Sequence, residues 1–331
     1  MAQATQEVHA IVMRKTGGPE VLCWERHDPG TPKQGEVRLS QEAVGLNFID
    51  VYHRTGLYPL PALPAVPGME GAGIIEQVAD DVEGFSVGDR VAYAGVPPGA
   101  YAQSRCIPAH RLVKLPETIS TQQAAAMMLQ GMTARYLLKG CYQVGPGTTI
   151  LLHAAAGGVG SIVSQWASHL GARVIGTVGS PDKAEIARNN GCGHTILYDE
   201  QDFVEVVREL THGEGVDVVY DSVGQATFEG SLSCLRPLGM IVAFGQSSGP
   251  IGPFDLAALA AGGSLFLTRP SLMHYTAARQ DLLEHAKDLF EVVTSGAVQI
   301  RIGTTYRLED AAQAHRDLEA RKTSGSSILL I

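Results

Sequence analysis

Apolar and polar positions change their rhythm twice along the chain. Over residues 8–13 and 36–44 they alternate, and 68–78 and 88–92 are short β-type runs. Turn-rich sequence separates these runs, as in Thr16-Gly17-Gly18-Pro19, residues 29–35, and the Gly- and Pro-punctuated region 56–67. A period of two broken by Gly and Pro predicts a mostly antiparallel β domain over about the first 115 residues. The period then becomes helical over 122–129 and 132–138. From Thr149 onward, strand-like apolar runs (149–152, 172–178, 194–198, 216–222, 240–245 and 264–268) alternate with helical ones (159–170, 203–210, 226–235 and 253–261). Six strands alternating with helices predict an α/β architecture with a doubly wound parallel sheet. Beyond Pro270 come a long helix (275–295), a strand, a helix (308–322) and a last strand (327–331). That tail is expected to return to the first domain, which makes the β domain discontinuous.

Residues 149–183 carry the clearest chemistry. The strand 149–152 runs into Ala155-Ala156-Gly157-Gly158-Val159-Gly160. This fits the dinucleotide-binding fingerprint, with Ala155 in place of its first glycine. Val159, Val163, Trp166, Ala167 and Leu170 follow at helical spacing. A helix therefore starts at the turn and aims its N–H groups at a pyrophosphate. The end of the next strand selects the cofactor. NAD enzymes place Asp or Glu about 20 residues on, to hold the ribose 2′-hydroxyl. Here Gly179 and Ser180 stand at that point, then Pro181 and Lys183. A capping hydroxyl, a helix N-terminus and an ammonium form an anion site, so NADPH is expected over NADH.

Composition narrows the class. A length of 331 residues suggests two domains, and 45% hydrophobic with 18% charged residues suits globular cores. The net charge of −9, from 25 basic and 34 acidic residues, counts against nucleic acid or an anionic membrane as a partner. No apolar run approaches the roughly 18 residues of a membrane span. The N-terminus lacks a basic-then-apolar leader pattern. Five widely spaced cysteines (Cys23, Cys106, Cys141, Cys192 and Cys234) read as reduced structural thiols in a cytoplasmic protein.

Six segments occur in a telling order: Gly45-Leu46-Asn47-Phe48-Ile49-Asp50, Pro67-Gly68-Met69-Glu70-Gly71-Ala72-Gly73, Val87-Gly88-Asp89-Arg90-Val91, His153-Ala154-Ala155-Ala156-Gly157-Gly158-Val159-Gly160, Tyr220-Asp221-Ser222-Val223-Gly224 and Phe244-Gly245-Gln246-Ser247-Ser248-Gly249. Together they resemble the zinc-independent NADPH:quinone oxidoreductases of the medium-chain dehydrogenase/reductase superfamily, over essentially the whole chain. The resemblance implies a GroES-like domain over residues 1–130 and 270–331, a Rossmann domain over 131–269, and a homodimer joined through the Rossmann sheets. The superfamily's alcohol dehydrogenases bind zinc where this chain has Asn47 and Met69, which offer neither thiolate nor imidazole. The close cysteines of a structural-zinc loop are also missing, so no metal is expected. Glu70 reads as a structural carboxylate.

The resemblance also implies a site. Asn47, Asp50, Tyr52, Tyr58 and Thr133 are expected to line the cleft between the domains, with Asn47, Tyr52 and Thr133 reaching the nicotinamide end. Gly158 and Val159 map to the pyrophosphate, and Gly179, Ser180 and Lys183 to the 2′-phosphate. Tyr198 falls beside the adenosine phosphate. Ser222, Phe244, Gly245 and Gln246 follow at later strand ends, Arg321 reaches the 2′-phosphate from the tail, and Arg269 lies on the nicotinamide side. The expected activity is metal-free reduction of a small-molecule quinone. Two alternatives stand beside it: reduction of α,β-unsaturated carbonyls by NADPH, and a low-turnover dinucleotide-binding protein with a structural or RNA-binding role.

Overall fold

The six strands expected from Thr149 onward all pair in parallel. The computed structural model describes residues 8–331. The residues before Val8, where the first expected domain begins and on which the leader reading partly rests, lie outside the described residues. The strands Thr149–Leu152, Arg173–Val178, His194–Leu197, Val216–Asp221, Leu235–Ala243 and Phe266–Thr268 stand in spatial order third, second, first, fourth, fifth, sixth. That is the doubly wound order, with its reversal beside the first strand. Ile150, Leu151, Val218, Val219 and Ile241 are fully buried, as continuous apolar runs covered on both faces must be. One core joins Leu151, Ile175, Ile196, Val219 and Ile241 to Val207 and Phe228 of the helices Phe203–Leu210 and Phe228–Ser233.

This sheet belongs to one of two compact units, comprising Gln130–Tyr275 and Glu291–Gln299. The other takes the chain up to Leu129, then Thr276–Phe290 and Ile300–Ile331. Its seven-stranded sheet runs Ile302–Arg307, Ser326–Leu330, Glu36–Leu46, Glu70–Val78, Arg90–Ala94 and Val113–Lys114, with Ser104–Pro108 pairing the far part of Glu36–Leu46. The tail strand lies antiparallel to the first domain's long strand, Ser327 opposite Leu46 and Leu330 opposite Ala43. Ile11, Leu39, Ile75, Tyr101, Leu308 and Leu329 share its core.

Three departures from the sequence pattern have local causes. The helices expected over 122–129 and 132–138 stand instead at Thr121–Ala125 and Met128–Arg135, and the second widens to a π turn at Tyr136–Cys141. Tyr220 donates its hydroxyl to the Leu137 carbonyl within that turn. The helix expected over 275–295 starts at Arg279, because the Thr276 carbonyl is taken by the Arg111 guanidinium at 2.9 Å. Over 253–261 only Ala257–Ala261 is helical; none of its residues is buried, so packing does not extend it. The strands Cys23–His27, Ser104–Pro108 and Val113–Lys114 lie outside the alternating pattern and are held by pairing to neighbours.

Candidate active site

In the doubly wound unit the first strand ends in a turn with little spare room. Ala154, not Ala155, adopts the left-handed conformation (φ +54°). Gly157 precedes the helix Gly158–His169 in an extended conformation, and its N–H donates to the Ala154 carbonyl at 2.9 Å. A Cβ on Gly160 would lie 2.2 Å from that carbonyl oxygen and 2.8 Å from the Ala155 Cα. This is the close helix–strand contact assigned to the third glycine of the fingerprint. A Cβ on Gly158 would strike the Gln130 side chain, 2.2 Å from Oε1. Nothing local in the sequence marks Gln130.

Buried hydrogen bonds hold the neighbouring strand ends. His153 bridges Thr177 Oγ1 and Ser231 Oγ, both at 2.9 Å, and Ser231 donates to Asp221 Oδ2 at 2.9 Å. Asp221 Oδ1 accepts from the N–H groups of Val223 (2.8 Å) and Gly224 (2.9 Å), which fixes the turn containing Ser222. Burial holds the His153 imidazole below its ordinary pKa, so it stays neutral. Phe244 N–H donates to the Asp221 carbonyl, and a Cβ on Gly245 would lie 2.6 Å from the Ser222 carbonyl. Arg269 donates from Nη1 to the carbonyls of Ala243 and Gly245, at 3.0 and 3.1 Å. It is thereby committed to the backbone beside Gln246.

At the second strand's end, Ser180 caps the helix Pro181–Asn189, its Oγ accepting the Lys183 N–H at 3.3 Å. A Cβ on Gly179 would lie 2.4 Å from the Tyr198 hydroxyl. Gly179, Ser180, Lys183 and Tyr198 are thus gathered at adjoining carboxyl ends of two strands. Thr133 is buried on the helix Met128–Arg135. Arg321 lies in the other unit, in the left-handed conformation (φ +57°) just past the helix Ala311–Glu319.

In the β-rich unit, Asn47 precedes the helix Phe48–Thr55 and exchanges hydrogen bonds with its first turn. Its N–H donates to Asp50 Oδ2 at 2.9 Å, and the Asp50 N–H donates to the Asn47 carbonyl at 3.0 Å. Asn47 Nδ2 donates to Glu70 Oε2 at 2.7 Å. Tyr52 and Tyr58 meet edge to face with centroids 5.1 Å apart, and Phe48 lies 6.3 Å from Tyr52. Burial pushes Asp50 up to about 7 and Glu70 up to about 8.

Behind Asp50 runs a chain of polar groups that the sequence did not foreshadow. Arg54, 1% exposed, forks onto Glu319 with two contacts of 2.8 Å. It also reaches His315 Nδ1 at 3.3 Å. Because a guanidinium only donates, Nδ1 must accept, and Nε2 carries the proton toward the Tyr101 oxygen at 3.1 Å. Tyr101 then donates to Asp50 Oδ2 at 3.2 Å. Burial, with Arg54 adding to it, pushes His315 down to about 3. Arg54 and His315 are 261 positions apart, so no spacing rule could have joined them.

Residues 33–117 match the alcohol dehydrogenase GroES-like domain family, and 158–290 match the zinc-binding dehydrogenase family. The chain is 48% identical over 330 residues to the 2-haloacrylate reductase of Burkholderia sp, covering 98% of this chain and 99% of that protein. It is 48% identical over 314 residues to the quinone oxidoreductase of Pseudomonas aeruginosa, covering 95% and 97%. The crystal structure of Escherichia coli quinone oxidoreductase complexed with NADPH superposes with a TM-score of 0.96 at 45% identity, over 98% of this chain and all of that one. The chain belongs to the quinone oxidoreductases of the medium-chain dehydrogenase/reductase superfamily. Despite the zinc in one matched family's name, no group of three or more His, Cys, Asp or Glu among the described residues could hold a metal ion. Zinc therefore does not fit the donor set of the described residues.

Proposed function

We propose that this chain reduces quinones with NADPH, according to NADPH + H⁺ + quinone → NADP⁺ + hydroquinone. The observation that carries the reading is the second strand's end, where Gly179 and Ser180 stand in place of the Asp or Glu that holds a ribose 2′-hydroxyl, and Lys183 follows in the first turn of the next helix. The helix Gly158–His169 opens on the glycine turn, and its N-terminal end suits a pyrophosphate. When bound, NADPH supplies the hydride. The Ser180 hydroxyl and the N-terminal end of its helix hold the 2′-phosphate, with the Lys183 ammonium neutralising it and Tyr198 beside it. Gly158 and Val159 face the pyrophosphate. Ser222 and the Phe244-Gly245-Gln246 turn lie along the nicotinamide half, shaped by Asp221 and by Arg269. Asn47, Tyr52 and Thr133 orient the nicotinamide end and the acceptor, Tyr52 and Tyr58 give the acceptor an aromatic wall, and Asp50 holds Asn47 in place. Arg321 adds a second cation for the 2′-phosphate. A quinone is already electron-poor, so alignment and exclusion of water suffice.

Lys183→Ala is expected to raise the KM for NADPH roughly 10- to 100-fold, the worth of a charge-assisted hydrogen bond, and to change that for NADH little. Steady-state kinetics with both cofactors checks this, and equal effects on both would sink the 2′-phosphate assignment. The test of the function itself is turnover of a para-quinone by NADPH after exhaustive chelation. Undiminished turnover is expected, and activity that disappears and returns with zinc would overturn the reading. A second reading, reduction of electron-poor alkenes, is favoured by the haloacrylate-reducing relative.

The proposal includes a homodimer. Phe266 and Leu267 are exposed on the edge strand of the parallel sheet, and Leu256 is exposed nearby in sequence. A second copy covering that edge would remove the apolar surface from water. No helix among the described residues is long and apolar enough to cross a membrane. Five free cysteines support placing the enzyme in the cytoplasm.

A further inference from the structure

Within the β-rich unit, two arginines lace the short turn Ala109–Arg111 to the start of the helix Arg279–Thr294, one in each direction. Arg111 donates from Nη1 to the Thr276 carbonyl at 2.9 Å. Arg279 donates from Nη1 to the carbonyls of His110, at 2.9 Å, and Leu112. The Arg279 guanidinium also lies 5.9 Å from the centre of the Phe85 ring, and the Lys114 ammonium lies 5.6 Å from the same ring. Lys114 is answered by Asp89 at 2.7 Å. Among the described residues, neither Arg111 nor Arg279 pairs with a carboxylate.

The cluster is short of an acceptor as well as of negative charge. Arg111 is 7% exposed, and its Nε is buried without a hydrogen-bond partner. A buried donor left unmade costs free energy, so it marks a place where an acceptor is due. Burial, and then the Arg111 charge, hold Arg279 below its ordinary pKa. The same two causes, with Arg279 added, hold the exposed His110 imidazole down. The cations also stand at the N-terminal end of a 16-residue helix, the end whose dipole repels them. Asp281, the acid of that first turn, is exposed and pairs with neither arginine.

We propose that Arg111, Arg279 and the N-terminal end of the helix Arg279–Thr294 form a binding site for a small, doubly charged oxyanion of the phosphate type. Guanidiniums present planar, paired donors, which suit the oxygens of such an anion better than a spherical halide. The anion removes the repulsion between the two arginines and faces the favourable end of the helix dipole. Bound between the turn and the helix start, it stabilises the folded unit by mass action. The chain as a whole carries a net charge of −9, so retention of an anion requires a local site and not a general field. The site stands whether or not the chain reduces quinones.

The exposed His110 reports on the site, since its imidazole feels both guanidiniums. Its resonances, assigned with His110→Asn, are to be titrated from about pH 5 to 8 in sodium chloride and in sodium sulfate of equal ionic strength. Sulfate is the probe because it keeps both charges throughout that range. It is expected to raise the His110 pKa by about 1, as a nearby opposite charge does, and to saturate with a Kd of roughly 1 mM, the range of two charge-assisted hydrogen bonds. Arg279→Gln should show a raised His110 pKa without sulfate and lose most of the response to it. Arg279→Lys keeps the charge and loses the planar donors, so an undiminished saturable response in it overturns the role of the guanidinium. Equal pKa values in chloride and sulfate for the unmutated protein overturn the site outright, with no variant needed. Competition against sulfate then names the source. Tighter binding of inorganic phosphate than of phenyl phosphate assigns a free anion, and the reverse order assigns the phosphate group of an organic ester.

Discussion

Replacing Arg54 by alanine is expected to destabilise the protein by about 3 kcal/mol, the lower end of the cost of breaking a buried ion pair from one side, because the Glu319 side chain left behind is 35% exposed. Three partners lose their donor together. Glu319 loses both arms of the fork, His315 Nδ1 loses its contact, and the Gly17 carbonyl loses the Nε–H at 3.1 Å. The damage also reaches the site. His315 is no longer held with its Nε2–H toward Tyr101, and Tyr101 is the group that donates to Asp50. Chemical denaturation should therefore show a lower midpoint, and kcat with a quinone should fall in the fraction that remains folded. A double-mutant cycle with Glu319→Ala measures the pair directly. Strictly additive losses would mean that the fork contributes no coupling energy and that Arg54 acts only through packing.

The second large effect is expected at Gly160. Alanine there puts a methyl group 2.2 Å from the Ala154 carbonyl oxygen and 2.8 Å from the Ala155 Cα. Both are backbone atoms, so no side-chain rotation relieves the clash, and the helix Gly158–His169 must shift away from the turn. Overpacking of this kind costs about 3 kcal/mol. A helix start displaced by an ångström should weaken NADPH binding roughly 100-fold. Gly158→Ala is the informative control. Its Cβ meets the end of the Gln130 side chain, which can swing aside, so its effect should be much smaller. Fluorescence titration of NADPH into the two variants checks the order. A larger loss in Gly158→Ala would show that contact with the cofactor, not helix seating, dominates at this turn.

These two sites differ in how far the sequence exposed them. Around Gly160 the pattern was local: an apolar strand, a glycine turn and helical spacing lie within some twenty residues, so their period announces them. The helix Phe203–Leu210 and the six parallel strands were legible for the same reason. The start of the helix Pro181–Asn189 was also readable, since Ser180 and Pro181 are adjacent cap and first-turn positions. Arg54, Tyr101 and His315 belong to three distant segments that meet only because the tail strand pairs with the first domain's long strand. Their residue types are those of an ordinary surface until burial is known. The π turn at Tyr136–Cys141 is hidden because its register depends on a hydroxyl from Tyr220, 83 positions away. Glu70 was visible as a carboxylate in a glycine-rich strand. Its two-sided engagement with the Leu129 N–H and Asn47 required the folded chain.

The measurement that bears most directly on the account is a steady-state assay of NADPH oxidation with a simple para-quinone and an alkyl enone side by side, and with NADH as the cofactor control. The quinone is expected to be turned over in preference to the enone, and with NADPH in preference to NADH. Dominant enone turnover would contradict the quinone assignment and move the activity to alkene reduction. Tight NADPH binding without turnover of either acceptor would contradict an enzymatic role altogether.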